Sequence, residues 1–135
     1  MKKIIYDYFV WANDLRNNSG EGILGNHFLN KIINKNKGKV FYVKTPFEKY
    51  YIINNKKKIV FRKKSKQNFT FKYILNIFNI LSIWLNYFNN KKIIFVNFLP
   101  LWNIFLFILL PSKTILGPIT GSIKNNSKTF FQKFF

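Results

Sequence analysis

At 135 residues the chain is about one domain long, enough for a modest single core. It has no cysteine, one histidine and four acidic residues. That composition excludes disulfides and thiolate metal sites, and it leaves almost nothing for a metal cage or a self-contained acid–base pair.

The formal charge is +19, yet every basic residue except Arg16 and Arg62 is Lys. Lys, Asn, Ile and Phe make up 76 of the 135 residues. All four are encoded by A/T-rich codons, so coding bias explains much of the lysine content. The charge still attracts anionic lipid or nucleic acid without sequence preference. Specific nucleic-acid recognition calls for more Arg and a recognisable module, and neither is present.

The start, MKKIIYDYFVW, has a basic head but no long apolar core and no small-residue cleavage site. Residues 3–8 (KIIYDY) predict a first strand, and WANDLRNNSG predicts a polar loop. From Glu21 the apolar period becomes helical, with Ile23, Leu24, His27, Phe28 and Ile32 on one face. Glu21 suits the helix dipole in the first turn, and Lys35, Lys37 and Gly38 are stop signals. KVFYV (39–43) predicts a second strand, closed by Thr45-Pro46. Such a β-α-β crossover favours a parallel sheet.

Residues 54–68 place a short apolar run between two basic clusters and read as an exposed loop or edge strand. Residues 69–90 predict a long helix whose Lys72, Asn76, Asn79, Ser82, Asn86 and Asn89 share one narrow face. The rest of its circumference is apolar, as in a helix that is deeply buried or meets lipid. KIIFVN (92–97) predicts a third strand, LPLWNIFLFILLP (99–111) an apolar helix, and KTILGP (113–118) a fourth strand. Beyond residue 122 a further helix begins and the sequence stops, so the expectation is one domain over 1–135 cut in or near that helix.

The implied class is α/β, an open parallel Rossmann-like sheet with helices on both faces. Ligands of such sheets sit beyond the carboxyl ends of the strands, where the glycine turns at 20–25 and 117–121 fall.

Gly20, Gly22 and Gly25 spell G-x-G-x-x-G, but two features disfavour a dinucleotide site. About ten residues separate the expected strand from the turn, and no acid follows the second strand until Glu48. No G-K-[ST] occurs, which excludes the P-loop. What remains is a glycine-rich helix start able to bring backbone N–H groups close to an anion, or simply to make a turn. His27 reads as a core histidine before a catalytic one, Asp7 and Asp14 as acids with structural hydrogen bonds before groups that orient a sugar hydroxyl, and Trp11 as a buried ring at the loop base before a platform for a sugar ring. Trp84 and Trp102 read as core or membrane-interface residues.

The stretches WANDLRNNSGEGILG and VNFLPLWNIFLFILLPSKTILGPITGS resemble the N-terminal domain of GT-B glycosyltransferases, nearest the retaining group 1 (family 4) set. The resemblance covers almost the whole chain. It implies transfer of a hexosyl unit from a nucleotide sugar to a sugar or lipid-linked acceptor in cell-envelope polysaccharide synthesis. Ser19, Gly20, Glu21 and Gly22 would then form the loop at the donor diphosphate. Gly117, Pro118, Thr120 and Gly121 would line the acceptor side. No metal and no cofactor is implied, the nucleotide sugar being the donor substrate.

The family's second domain, with its Glu-x7-Glu signature, has no counterpart here, since Glu21 and Glu48 are the only glutamates. The resemblance therefore implies a fragment inactive alone, either a truncated reading frame or a subunit completed by a second chain, and located in the cytoplasm at the inner face of the membrane. Peripheral contact with anionic lipid is expected through Lys56, Lys57, Lys58, Lys63, Lys64 and Lys66. Two other readings stay open: a small basic membrane protein with apolar helices near 73–88 and 98–111, and a non-catalytic remnant of the transferase.

Overall fold

The computed structural model describes residues 4–18, 20–62, 69–96 and 108–117, with the side chains of the second helix described from Phe78 onward. In chain order the elements are β1 (Tyr8–Ala12), α1 (Gly20–Lys35), β2 (Phe41–Lys44), β3 (Glu48–Ile53), β4 (Lys56–Arg62), α2 (Phe69–Phe88), β5 (Lys92–Val96) and β6 (Ile115–Leu116). They form one six-stranded sheet in the order β4-β3-β2-β1-β5-β6.

The central strand is β1, whose YFVWA is buried at every position. It pairs in parallel with β2 (Val10 opposite Val43) and with β5 (Val10 opposite Ile94), and β5 pairs in parallel with β6. Side chains alternate across a strand, so β1 feeds two cores. Tyr8, Val10 and Ala12 meet Leu29 and Ile33 of α1 on one face. Phe9 and Trp11 meet Ile83 of α2, together with Leu110, on the other. The helices therefore lie on opposite faces, as expected for an α/β domain.

The sheet is mixed rather than wholly parallel. β3 runs antiparallel to β2, and β4 antiparallel to β3. The cause is connection length: a parallel return needs a crossover of a dozen or more residues, whereas these strands are joined by short turns. The first turn is knotted by Thr45, whose Oγ1 accepts from the amides of Phe47 (3.2 Å) and Glu48 (3.0 Å). The second is Asn54-Asn55, both with positive φ (50° and 61°), as a type I′ hairpin turn requires. The edge strand anticipated within 54–68 is β4, and the strand beside it, β3, carries Tyr50 into the α1 core.

Two further boundaries move. β1 begins at Tyr8, the last residue of the expected 3–8 strand, and runs through Trp11 and Ala12 into what reads as loop. On α1 the buried positions are Gly22, Gly25, Leu29 and Ile33. The core-facing stripe is thus rotated from the apolar stripe of the sequence: Ile23 and Leu24 are each 53% exposed, and His27 is exposed rather than packed in the core. Most of the helix expected at 99–111 and all of the one after 122 lie outside the described residues. Among the described residues no helix is long and apolar enough to cross a membrane.

Candidate functional site at the carboxyl rim

Chain direction reverses beside β1. From there the chain passes through α1 to β2 on one side, and later through α2 to β5 on the other. In open α/β sheets ligands bind where neighbouring connections leave in opposite directions, beyond the carboxyl ends of the strands. The rim at that point is built from residues 13–18 after β1, the turn at 45–48 after β2, and Gly117 after β6.

Asp14 anchors the first segment. It is 2% exposed, and its carboxylate accepts three hydrogen bonds from Arg16: from the backbone N (2.9 Å), Nε (3.0 Å) and Nη2 (3.0 Å). The paired side-chain bonds match the planar fork of a guanidinium, which Lys does not offer. The hydrogen bond to Asp14 raises the Arg16 pKa further above its ordinary value. The guanidinium also lies 3.9 Å from the centre of the Phe47 ring. Arg16 thereby ties the loop after β1 to the turn after β2, while about half of its side chain stays open to solvent.

A second rim cation is Lys44, at the end of β2. Burial lowers its pKa, and neighbouring Lys49 adds to the effect. The rim cations thus include the Arg16 guanidinium, fixed by its ion pair with Asp14, and the half-buried Lys44 ammonium beside Lys49.

Helix α1 opens on the same rim. Gly20 is exposed, with nothing within 4 Å of the position a Cβ would take. Gly22 differs: an added Cβ would overlap the carbonyl oxygen of Arg16, with the carbonyl carbon and amide nitrogen of that residue at 2.9 Å. The bare Cα of Gly22 is therefore filled by the chain's own loop, so the open approach to the helix start is at Gly20. Glu21 is half-buried in the first turn. Across the sheet Gly117 is buried and donates its amide to the Phe95 carbonyl at 2.7 Å. Since β5 alone separates β1 from β6, those two strands lie about 10 Å apart. Ser19, Pro118, Thr120 and Gly121 lie outside the described residues.

The remaining candidates separate cleanly. Asp7 precedes β1 at the opposite rim, where its Oδ2 accepts the Val40 amide at 3.0 Å and Lys39 approaches its Oδ1. Trp11 is 1% exposed within the α2-side core. Among the described residues no three His, Cys, Asp or Glu side chains converge as a metal site would require. A groove of about 440 Å3 runs between α1 and the β3–β4 hairpin, lined by Asn26, Asn30, Asn34, Glu48, Tyr50 and Lys57 among others. It lies to the side of the switch point rather than at it.

Arg16 is the rim residue that the sequence reading passes over. The signal was its rarity: in a chain that uses Lys almost everywhere, an Arg two residues after an Asp marks a place where fork geometry is needed. Comparison with known proteins adds no assignment: no family model, no curated protein and no solved structure matches the chain.

Proposed function

We propose that the chain is the acceptor-side half of a GT-B glycosyltransferase, serving hexosyl transfer from a nucleotide sugar to a sugar or lipid-linked acceptor. The supporting observation is the rim itself. A glycine-opened helix and a glycine-ended strand flank one parallel strand at the point where the sheet changes direction.

In this reading the departing diphosphate meets the start of α1. Backbone amides at Gly20 and Glu21 and the positive end of the helix dipole favour the charge that develops there. Arg16, oriented by Asp14, adds a cation at a fixed position. Gly117, with Pro118, Thr120 and Gly121 after it in the sequence, is assigned to the acceptor side by the resemblance. The nucleotide-sugar pocket belongs to a second domain, on this or another chain, because residues 1–135 contain no Glu-x7-Glu pair. The proposed setting is the cytoplasmic face of the membrane, in polysaccharide synthesis.

The test joins the full chain to the nucleotide-sugar domain of a family 4 transferase and measures hexosyl transfer with uridine- and guanosine-diphosphate sugars. Transfer is expected from the joined protein and none from residues 1–135 alone. Turnover by residues 1–135 alone, or binding of NAD at the helix start, would contradict the proposal.

A further inference from the structure

From Phe78 onward the polarity of α2 is inverted for a helix that faces water. Its inward arc carries Asn79, which is 5% exposed, and Asn86, whose Oδ1 accepts from the Tyr6 hydroxyl. The outward arc carries Phe78, Leu81, Leu85 and Phe88, which are 64–72% exposed. Their spacing of three, four and three residues places them in one continuous stripe. Beside it Ile108 is 76% and Leu109 50% exposed. The Trp84 indole ties that segment to the helix by donating Nε1–H to the Leu109 carbonyl at 2.7 Å.

Six large apolar side chains on one surface exceed the scattered exposure normal for a protein in water. The ends of this surface carry cations: Lys91, whose ammonium lies over the Tyr6 ring on the α2 side of the sheet, follows α2, and Lys113 follows the 108–109 segment. An apolar stripe with cations at its borders suits the boundary between acyl chains and anionic headgroups. A second copy of the chain fits less well, because each copy would bring a charge of +19 to the contact.

From this arrangement we infer that the outward face of α2, with Ile108 and Leu109, is a membrane-docking surface that inserts into the interfacial layer of an anionic bilayer. The helix lies along the membrane plane and does not cross it. The docking surface stands independently of any sugar transfer at the carboxyl rim. It also differs from a purely electrostatic contact through Lys56, Lys57 and Lys58 on β4, where attraction alone would hold the protein.

The experiment uses the full chain with phosphatidylcholine vesicles containing or lacking phosphatidylglycerol, read by co-sedimentation at low and physiological salt. Expected is binding to the anionic vesicles that persists at physiological salt, with tryptophan quenching by brominated acyl chains. The double variant Leu81→Ser/Leu85→Ser alters exposed side chains only. It should weaken binding at least tenfold while melting as the parent does. The single variant Leu81→Gln and quenching in the parent protein carry the test if the double variant fails to fold.

Three results would overturn the inference. One is binding that disappears at physiological salt and ignores the Leu81 and Leu85 changes. Another is a parent protein that binds no vesicle. The third is a dimer that the same changes dissociate without lipid, which would assign the face to a second copy.

Discussion

Arg16 and Gly22 are packed main chain to main chain, so that a side chain of any size at position 22 would overlap the Arg16 carbonyl. Backbone cannot swing aside as the tip of a side chain can, so the loop or the helix start would have to move. Gly22→Ala should therefore destabilise the fold by about 1–3 kcal/mol, the usual cost of overpacking. Gly20, two residues earlier, faces open space. Gly20→Ala should be neutral or stabilising by up to about 1 kcal/mol, through helix propensity. Urea melts of the two variants check this: equal stabilities would mean that the loop does not rest on Gly22.

The carboxylate of Asp14 organises the same loop. Asp14→Ala removes three hydrogen bonds from Arg16 at once and should cost about 1–3 kcal/mol, allowing for the solvent around the exposed half of the guanidinium. Asp14→Asn keeps one acceptor for the Arg16 amide and should cost less. Thermal melts at low and high salt would show it. Loss in both variants should be largely independent of salt, because Asp14 is buried.

Alkaline pH should unfold the protein through its tyrosines. Burial raises the Tyr50 pKa well above its ordinary value of 10.0, with the Glu48 charge adding to the effect, and burial also raises Tyr6 and Tyr42. Below 10 these groups are protonated whether folded or not, and stability does not depend on them. Above 10 the unfolded chain releases protons that the folded one retains, so stability falls with pH, by up to about 1.4 kcal/mol per pH unit for Tyr50 and by less for the more exposed Tyr6 and Tyr42. Lys44 acts oppositely: its lowered pKa makes stability rise with pH in the window below 10.5. Three tyrosines outweigh one lysine above 10. In pH-dependent urea melts Tyr50→Phe should flatten the alkaline decline; an unchanged slope would mean that Tyr50 does not carry it.

What the sequence disclosed depended on how local the governing physics was. The β-α-β order, α2 and the opposed faces followed from periodicity. The hairpin signal at Asn54-Asn55 was present but obscured by the lysines around it, so β3 went unread although EKYYII is rich in strand formers. His27 was misplaced because α1 approaches the sheet through Gly22 and Gly25. Glycines add no hydrophobicity to a helical stripe, so the apolar residues beside them seemed to mark the core. The contact of Arg16 with Gly22 is tertiary and left no pattern to read. The polar stripe of α2 was visible, whereas its inward direction followed only from Asn79 and Asn86 facing the sheet.

The rim at the start of α1 is where the functional account is most exposed to test, and Gly20 is its cleanest probe. The measurement is hexosyl turnover by the full chain joined to a nucleotide-sugar domain, comparing the parent with Gly20→Val. The open space around Gly20 lets the fold accept valine, so melting should change by less than about 1 kcal/mol. The two methyl groups would stand where the diphosphate meets the backbone amides, so turnover should fall by about 100-fold, the scale of losing one oxyanion donor. Full turnover with unchanged melting would contradict the account, leaving the glycine turn as a turn and nothing more.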